Sequence, residues 1–151
     1  MDRYMQEAVA EAREGILGGE GGPFGCVIVK DGEIVGRGHN QVLSLKDPTC
    51  HGEVQAIRAA CKRLNTHDLS NCILYTTGEP CPMCLAACKW ANIAKVYYGC
   101  TIAENAEIGF RDEQFYQELT AEGRKGYTQR LGADICRELF EEYKKTKGQR
   151  Y

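Results

Sequence analysis

Two short stretches, Cys50-His51-Gly52-Glu53 and Glu79-Pro80-Cys81-Pro82-Met83-Cys84, set the strongest limit on how this chain can fold. They hold one imidazole, two thiols three residues apart, and a carboxylate two residues past the imidazole. A donor set divided in this way is useful only if the fold carries both stretches to one point. One His and two Cys ligands leave the fourth position of a tetrahedral zinc ion open to water, which distinguishes a catalytic site from a structural one. Glu53 is then a spare acid beside the metal. The structural alternative is a closed site completed by Cys88 or Cys50, and it leaves Glu53 without a purpose.

Local sequence says how the donors are presented. Pro82 suits the first turn of a helix, where its missing N–H has no intrahelical partner anyway. That puts Cys81 at or next to the cap and Cys84 in the first turn, with the positive end of the helix dipole favouring the thiolates that zinc requires. His51 follows Pro48-Thr49 at the expected start of a second helix. Donors collected at strand ends lie where open α/β sheets form their ligand crevices.

The rest of the chain supplies such a sheet. Met5, Val9, Ala12 and Ile16 recur at helical spacing and predict an amphipathic helix over 2–17. Four glycines among residues 18–22 end it. No Lys-Ser/Thr follows them, so a phosphate-cradling loop is not expected. Residues 26–30 and 33–35 flank Asp31-Gly32, a strong hairpin signal. A helix is predicted over 51–65, a third strand over 72–76, a helix from Pro82 to about Trp90, and a fourth strand over 95–98. Strand–helix–strand at this spacing implies a parallel crossover. A short helix is expected at 112–119, a fifth strand at 127–131, and a last helix with Ile135, Cys136, Leu139, Phe140 and Tyr143 on one face. This is the pattern of one layered α/β domain over residues 1–151.

Composition narrows the classes. The net charge of the 151 residues is −2, which lacks the basic footprint of a protein dominated by nucleic-acid phosphates. Lys144, Lys145, Lys147 and Arg150 are read as a solvated helix face. Nine cysteines are an odd number, several lie in apolar runs, and no apolar leader precedes them, so a reduced, cytoplasmic protein is expected. No stretch is long enough to cross a bilayer. His39 is read as a polar residue at a strand end, Glu79 as an acceptor that fixes its loop, and Cys26, Cys61, Cys72 and Cys136 as core thiols.

His51-x-Glu53 followed by Pro80-Cys81-x-x-Cys84 matches the signature of the zinc nucleobase deaminases. In such a site zinc lowers the pKa of water towards about 7, hydroxide adds to a ring carbon bearing an amine, and Glu53 moves the proton. The chain resembles the cytidine deaminase-like superfamily and, within it, the bacterial guanine deaminases. The flanks that carry the second likeness are Gly21-Gly22-Pro23-Phe24-Gly25, Asp47-Pro48-Thr49, Cys72-Ile73-Leu74-Tyr75-Thr76 and Glu79 through Leu85. The resemblance implies a three-layer α/β/α fold with a central mixed five-stranded sheet, and His51, Cys81 and Cys84 on one zinc ion per chain. It implies Glu53 as proton shuttle, Asn40 on the base, Phe24 packed on the ring, and Trp90 lining the pocket. Gly109-Phe110-Arg111-Asp112 is similar to the family's Gly-Phe-Asp-Asp, which makes Asp112 a second acid near the leaving amine. The chain ends in Tyr151 as the family's chains end in Tyr, implying a terminus that closes the site, swapped between the subunits of a homodimer.

The implied reaction is hydrolysis of a free nucleobase, guanine to xanthine and ammonia. Gly52 stands where guanine deaminases usually have Ala, Cys50 replaces another small residue, and Gly78 occupies a frequent Cys position. His-Gly-Glu is also similar to fungal-type cytosine deaminases, so cytosine to uracil is the alternative, followed by a related aminopurine, nucleoside, pterin or triazine. A tRNA adenosine deaminase shares the motif but calls for a basic flank, and a non-catalytic zinc module is the other class.

Overall fold

The computed structural model describes residues 2–151. They divide into two compact units, one ending at Tyr116 and one running from Gln117 to Tyr151.

The first unit is built on one mixed sheet. The strands are β1 (Gly25–Lys30), β2 (Glu33–His39), β3 (Ile73–Gly78) and β4 (Lys95–Cys100), in the order β2-β1-β3-β4. β1 runs antiparallel to both β2 and β3, and β3 runs parallel to β4. The β1–β2 hairpin turns through Asp31 and Gly32, whose φ values of 49° and 81° belong to a primed turn. As expected from the crossover, helix α4 (Pro82–Trp90) joins the parallel pair.

Alternation along the strands separates two faces. Cys26, Ile28, Leu74 and Val35 join Ala56, Ala60, Leu69, Cys88 and Ala91 in one buried cluster, under α3 (Gly52–Leu64) and α4. Helix α1 (Arg3–Leu17) covers the other face, where Tyr4 meets Tyr75 at 5.2 Å between ring centres. The result is helix, sheet, helix. Layers come close where β2 has no side chains: a Cβ on Gly38 would stand 2.5 Å from the backbone nitrogen of Ala56, so α3 rests on the strand itself.

Two of three short helices depart from the expected plan. Helix α2 (Val42–Leu45) and helix α5 (Ile102–Glu107) fall in stretches read as connections, whereas α6 (Asp112–Glu118) lies where a short helix was expected. Among the described residues the sheet has four strands, not five. Residues 127–131 form no strand: Gly126 has a left-handed backbone, and Tyr127 and Leu131 are about nine-tenths exposed, with only an isolated bridge from Lys125 to Thr128.

The second unit contains α7 (Ala133–Lys145). Its apolar face is as predicted, but Ile135, Leu139, Phe140 and Tyr143 are all exposed. Cys136 is exposed too, not the core thiol its neighbours suggested. No helix of the described residues is long and apolar enough to cross a membrane.

Candidate metal centre and active site

Both motif stretches arrive at helix N-termini. His51 is the N-cap of α3, and Cys81 is the N-cap of α4 with Pro82 just inside. The Cys81 thiol accepts the backbone N–H of Cys84 at 3.5 Å, a capping bond made by sulfur. β3 ends at Gly78, so Cys81 and Cys84 come from the crossover that leaves its C-terminal end. His51 comes from the start of α3 on the same side of the sheet.

There the two stretches meet. His51 Nδ1 lies 3.5 Å from Cys81 Sγ and 3.5 Å from Cys84 Sγ. The three donor atoms all fall within 4.8 Å of one another, a spacing one ion can bridge. The donor chemistry fits zinc: two thiols and an imidazole, all three at the positive ends of helices. Hydrogen bonding from Cys84, helped by His51 and opposed by burial, holds the Cys81 thiol well below its ordinary pKa. Its bond with Cys81 and its burial push the Cys84 thiol the other way. The bond to Cys81 raises the pKa of His51 against the effect of burial.

Neither residue proposed to close the site is in this cluster. Cys88 is packed among Leu69, Leu74 and Ala91, and burial pushes its thiol up to about 12. Cys50 is buried nearby, accepting from Arg58 at 3.5 Å. The set is therefore open on one side.

That side is a cavity of about 240 Å³ lined by His51, Glu53 and Cys81 on one hand and Phe24, Asn40 and Asp112 on the other. Glu53, in the first turn of α3, is 5% exposed. Burial raises its pKa, against bonds that include the Thr76 hydroxyl donating to Oε1 at 3.1 Å. Asn40 is held in place by its backbone N–H on the Phe24 carbonyl at 2.9 Å and by Oδ1 accepting from Val42 N–H at 3.0 Å. Phe24 meets Phe110 edge-on, with 4.7 Å between ring centres. Asp112 opens α6, and burial, then the nearby Cys81, raises its pKa. Asn105 donates to Asp112 Oδ2 at 3.5 Å.

Six of the residues singled out from the sequence thus line one cavity, with Cys84 directly behind it. Trp90 does not: it ends α4 and is 65% exposed. Tyr151 lies in the second unit and is largely exposed. Glu79 accepts from the backbone N–H of Ile102 at 3.3 Å, as expected of a loop-fixing residue, and also lines the cavity. Sequence reasoning missed Thr76 and Asn105, both buried polar residues. Thr76 had a signal, since it is in phase with Leu74 on the α3 side of β3. Asn105 had none.

His39 is more than a polar strand end. Its Nδ1 is 3.1 Å from Glu11 Oε2 and its Nε2 2.6 Å from Glu20 Oε2, tying α1 and the glycine loop to β2. It also falls in a second His/acid group with Glu11 and Glu14. Both ring nitrogens there already face carboxylates.

Comparison with known proteins agrees with this geometry. The family model for the cytidine and deoxycytidylate deaminase zinc-binding region matches residues 1–100. A guanine deaminase of Bacillus subtilis is 50% identical over 118 residues, 78% of this chain and 76% of that one. A tRNA-specific adenosine deaminase of Aquifex aeolicus is 47% identical over 95 residues, 63% of this chain and 62% of that one. The X-ray structure of guanine deaminase from Bacillus subtilis superposes with a TM-score of 0.91 at 41% identity, covering 100% of this chain and 99% of that one. The cofactor is one zinc ion per chain. An open His-Cys-Cys cluster beside a buried glutamate, under a matching family model, places the chain in the cytidine and deoxycytidylate deaminase zinc-binding family.

Proposed function

We propose that this protein is a hydrolytic deaminase of a free nucleobase, converting guanine to xanthine and ammonia. The observation that carries the reading is a buried carboxylate, Glu53, opening into the same cavity as the His51 and Cys81 donors. The choice of guanine rests on the likeness to the guanine deaminase of Bacillus subtilis. His51, Cys81 and Cys84 hold the zinc in this reading. Zinc bound there supplies hydroxide near neutral pH by lowering the pKa of water to about 7.

The other roles belong to the chain's own side chains. Phe24 offers its ring to the base, and Asn40 hydrogen-bonds an edge of it. With Oε1 anchored by Thr76, Glu53 takes the proton of the attacking water on its other oxygen and delivers it to a ring nitrogen. The proton that remains on the added oxygen then passes, again by way of Glu53, to the exocyclic amine. The new C–O bond is formed, the C–N bond breaks, and ammonia leaves. A raised carboxyl pKa suits a group that must first take and then give a proton. Asp112, also raised, stands as a second acid for the departing amine. The decisive assay is ammonia release from guanine, cytosine, their nucleosides, adenine, isocytosine and pterins. Guanine is expected to be the preferred base. Turnover of tRNA alone, falling steeply with salt, would replace this reading with a tRNA deaminase.

We further propose that residues 1–151 work as one domain in a homodimer in which the C-terminal segment is exchanged between subunits so that Tyr151 closes a site, and that Trp90, exposed at the end of α4, lines the pocket once the dimer is assembled. The exposed apolar face of α7 supports it, as do exposed Trp90, Tyr97 and Tyr98 around β4. A sheet edge bearing aromatic side chains calls for cover. All nine cysteines are free, which supports a reducing, cytoplasmic setting.

A further inference from the structure

Asn40, in the wall of the cavity, is bracketed by a single carboxylate. Glu20 Oε2 is 2.6 Å from Nε2 of His39, the residue before Asn40. Glu20 Oε1 accepts from Nε2 of Gln41, the residue after it, at 2.9 Å. The backbone of Glu20 is tied in as well. Its N–H goes to the Gly15 carbonyl at 2.9 Å, and its own carbonyl accepts the N–H groups of Leu43 at 3.0 Å and Ser44 at 3.2 Å. Gly21 then crosses Asn40 so closely that a Cβ there would run into Oδ1 and stand 2.8 Å from Cγ. The glycine loop is strapped over Asn40, with Glu20 as its fastening.

The segment after Asn40 cannot hold itself in place. Helix α2 has four residues, and its N-cap Gln41 makes no side-chain capping bond. A helix that short does not persist on its own hydrogen bonds. Its first three N–H groups go instead to Asn40 Oδ1 and to the Glu20 carbonyl. Gln41 carries the hold onward: its Oε1 accepts from Gln55 Nε2 of α3 at 2.6 Å, and its N–H goes to the carbonyl of Cys50, next to His51, at 2.9 Å. The bonds from Gln41 and then His39 keep the Glu20 carboxyl below its ordinary pKa, so it is charged where it serves as a double acceptor. Glu20 does not line the cavity itself, whereas Asn40 and Val42 on the fastened segment do.

We propose that Glu20 is a positioning residue for substrate binding: by holding the residues on both sides of Asn40 with its two carboxylate oxygens, it fixes the Asn40 amide against the edge of the base. The inference rests on the deaminase reading above and on the role given there to Asn40. It separates two tasks. The metal donors and Glu53 are presented by α3 and α4 and carry the chemistry, while the strap sets how firmly the base is held. A contact that is equally good before and during reaction acts on KM and leaves kcat alone.

The test compares zinc-loaded wild type with Glu20→Ala and Glu20→Gln, measuring kcat and KM on the base that wild type turns over best, along with zinc content and Tm. Glu20→Ala is expected to keep its zinc and raise KM about tenfold, the scale of one hydrogen bond to the substrate, with kcat within about threefold of wild type. Glu20→Gln has the same length. Its amide oxygen still accepts from Gln41, and its NH2 reaches the unprotonated Nε2 of a neutral His39. It should bring KM back to within about threefold of wild type. If Glu20→Ala does not fold, Gln41→Leu removes one of the two fastenings and leaves the loop intact, and it is expected to raise KM about threefold at unchanged kcat. An unchanged KM in whichever of these two variants folds overturns the inference alone. So does a fall in kcat beyond about threefold, a loss of zinc, or a rise of KM in Glu20→Gln as large as in Glu20→Ala. A zinc-loaded wild type that releases ammonia from no base overturns the deaminase reading, and this inference with it.

Discussion

Thr76 matters because Glu53 is buried. A carboxylate in a low-dielectric pocket loses hydration, and the Thr76 hydroxyl on Oε1 is one of the bonds that hold it there. Glu53→Gln keeps the shape but cannot move a proton, so kcat is expected to fall by at least about a hundredfold with zinc still bound, checked by ammonia release and metal analysis. Cys81→Ser leaves an oxygen that can still cap α4 but removes a thiolate donor, so it should lose the metal as well as the activity. His39 answers to pH. Burial opposes its charge, but the bonds to Glu11 and Glu20 outweigh this and raise its pKa above the ordinary 6.5. A raised folded-state pKa means the contribution is fully present below pH 6.5 and is lost as pH climbs through the raised value. Glu11, Glu14 and Glu20 are the acids that face it. His39→Gln should therefore destabilise the protein more at pH 6 than at pH 9, as read by urea unfolding at the two pH values.

At the scale of elements, what could be read from the sequence was set by how local the signal was. The boundaries of α1, α3 and α4 and the Asp31-Gly32 hairpin follow from periodicity, caps and turn chemistry, all contained within a few residues. Helix α5 had a local signal that went unread: Thr101-x-x-Glu104 is a capping box, with Glu104 N–H on Thr101 Oγ1 at 3.2 Å and Thr101 N–H on Glu104 Oε2 at 2.7 Å. Thr101→Ala should cost about 1 kcal/mol of stability by denaturant unfolding, and loosen Asn105 one turn on. The expected strand at 127–131 fails because aromatic and apolar residues there lack a partner strand, and β-propensity without pairing forms nothing. The metal donors were legible because zinc chemistry restricts residue type and spacing. Asn105 was not, since its role depends on contacts with Glu79 and Asp112 that no local pattern encodes.

For the molecule as a whole, the metal is a structural partner as well as a reactive one. The three donors tie together the N-termini of two helices, so an ion bound in the folded state and not in the unfolded one raises stability by mass action. Removing zinc with a chelator should lower Tm by several degrees, and adding it back should restore Tm and activity together. The exchanged-dimer proposal makes its own demand: light scattering should give a dimer, and replacing Leu139 and Phe140 with Ser should weaken it. The order in which the chain is made adds a last consequence. Thirty positions separate His51 from Cys81, and α4, which brings both thiols, follows α3 and β3 in the chain. During synthesis the β1–β2 hairpin and α3 can therefore form while the second half of the metal site is still inside the ribosome. His51 waits as a lone imidazole, and the nascent protein acquires its full donor set only after α4 has emerged.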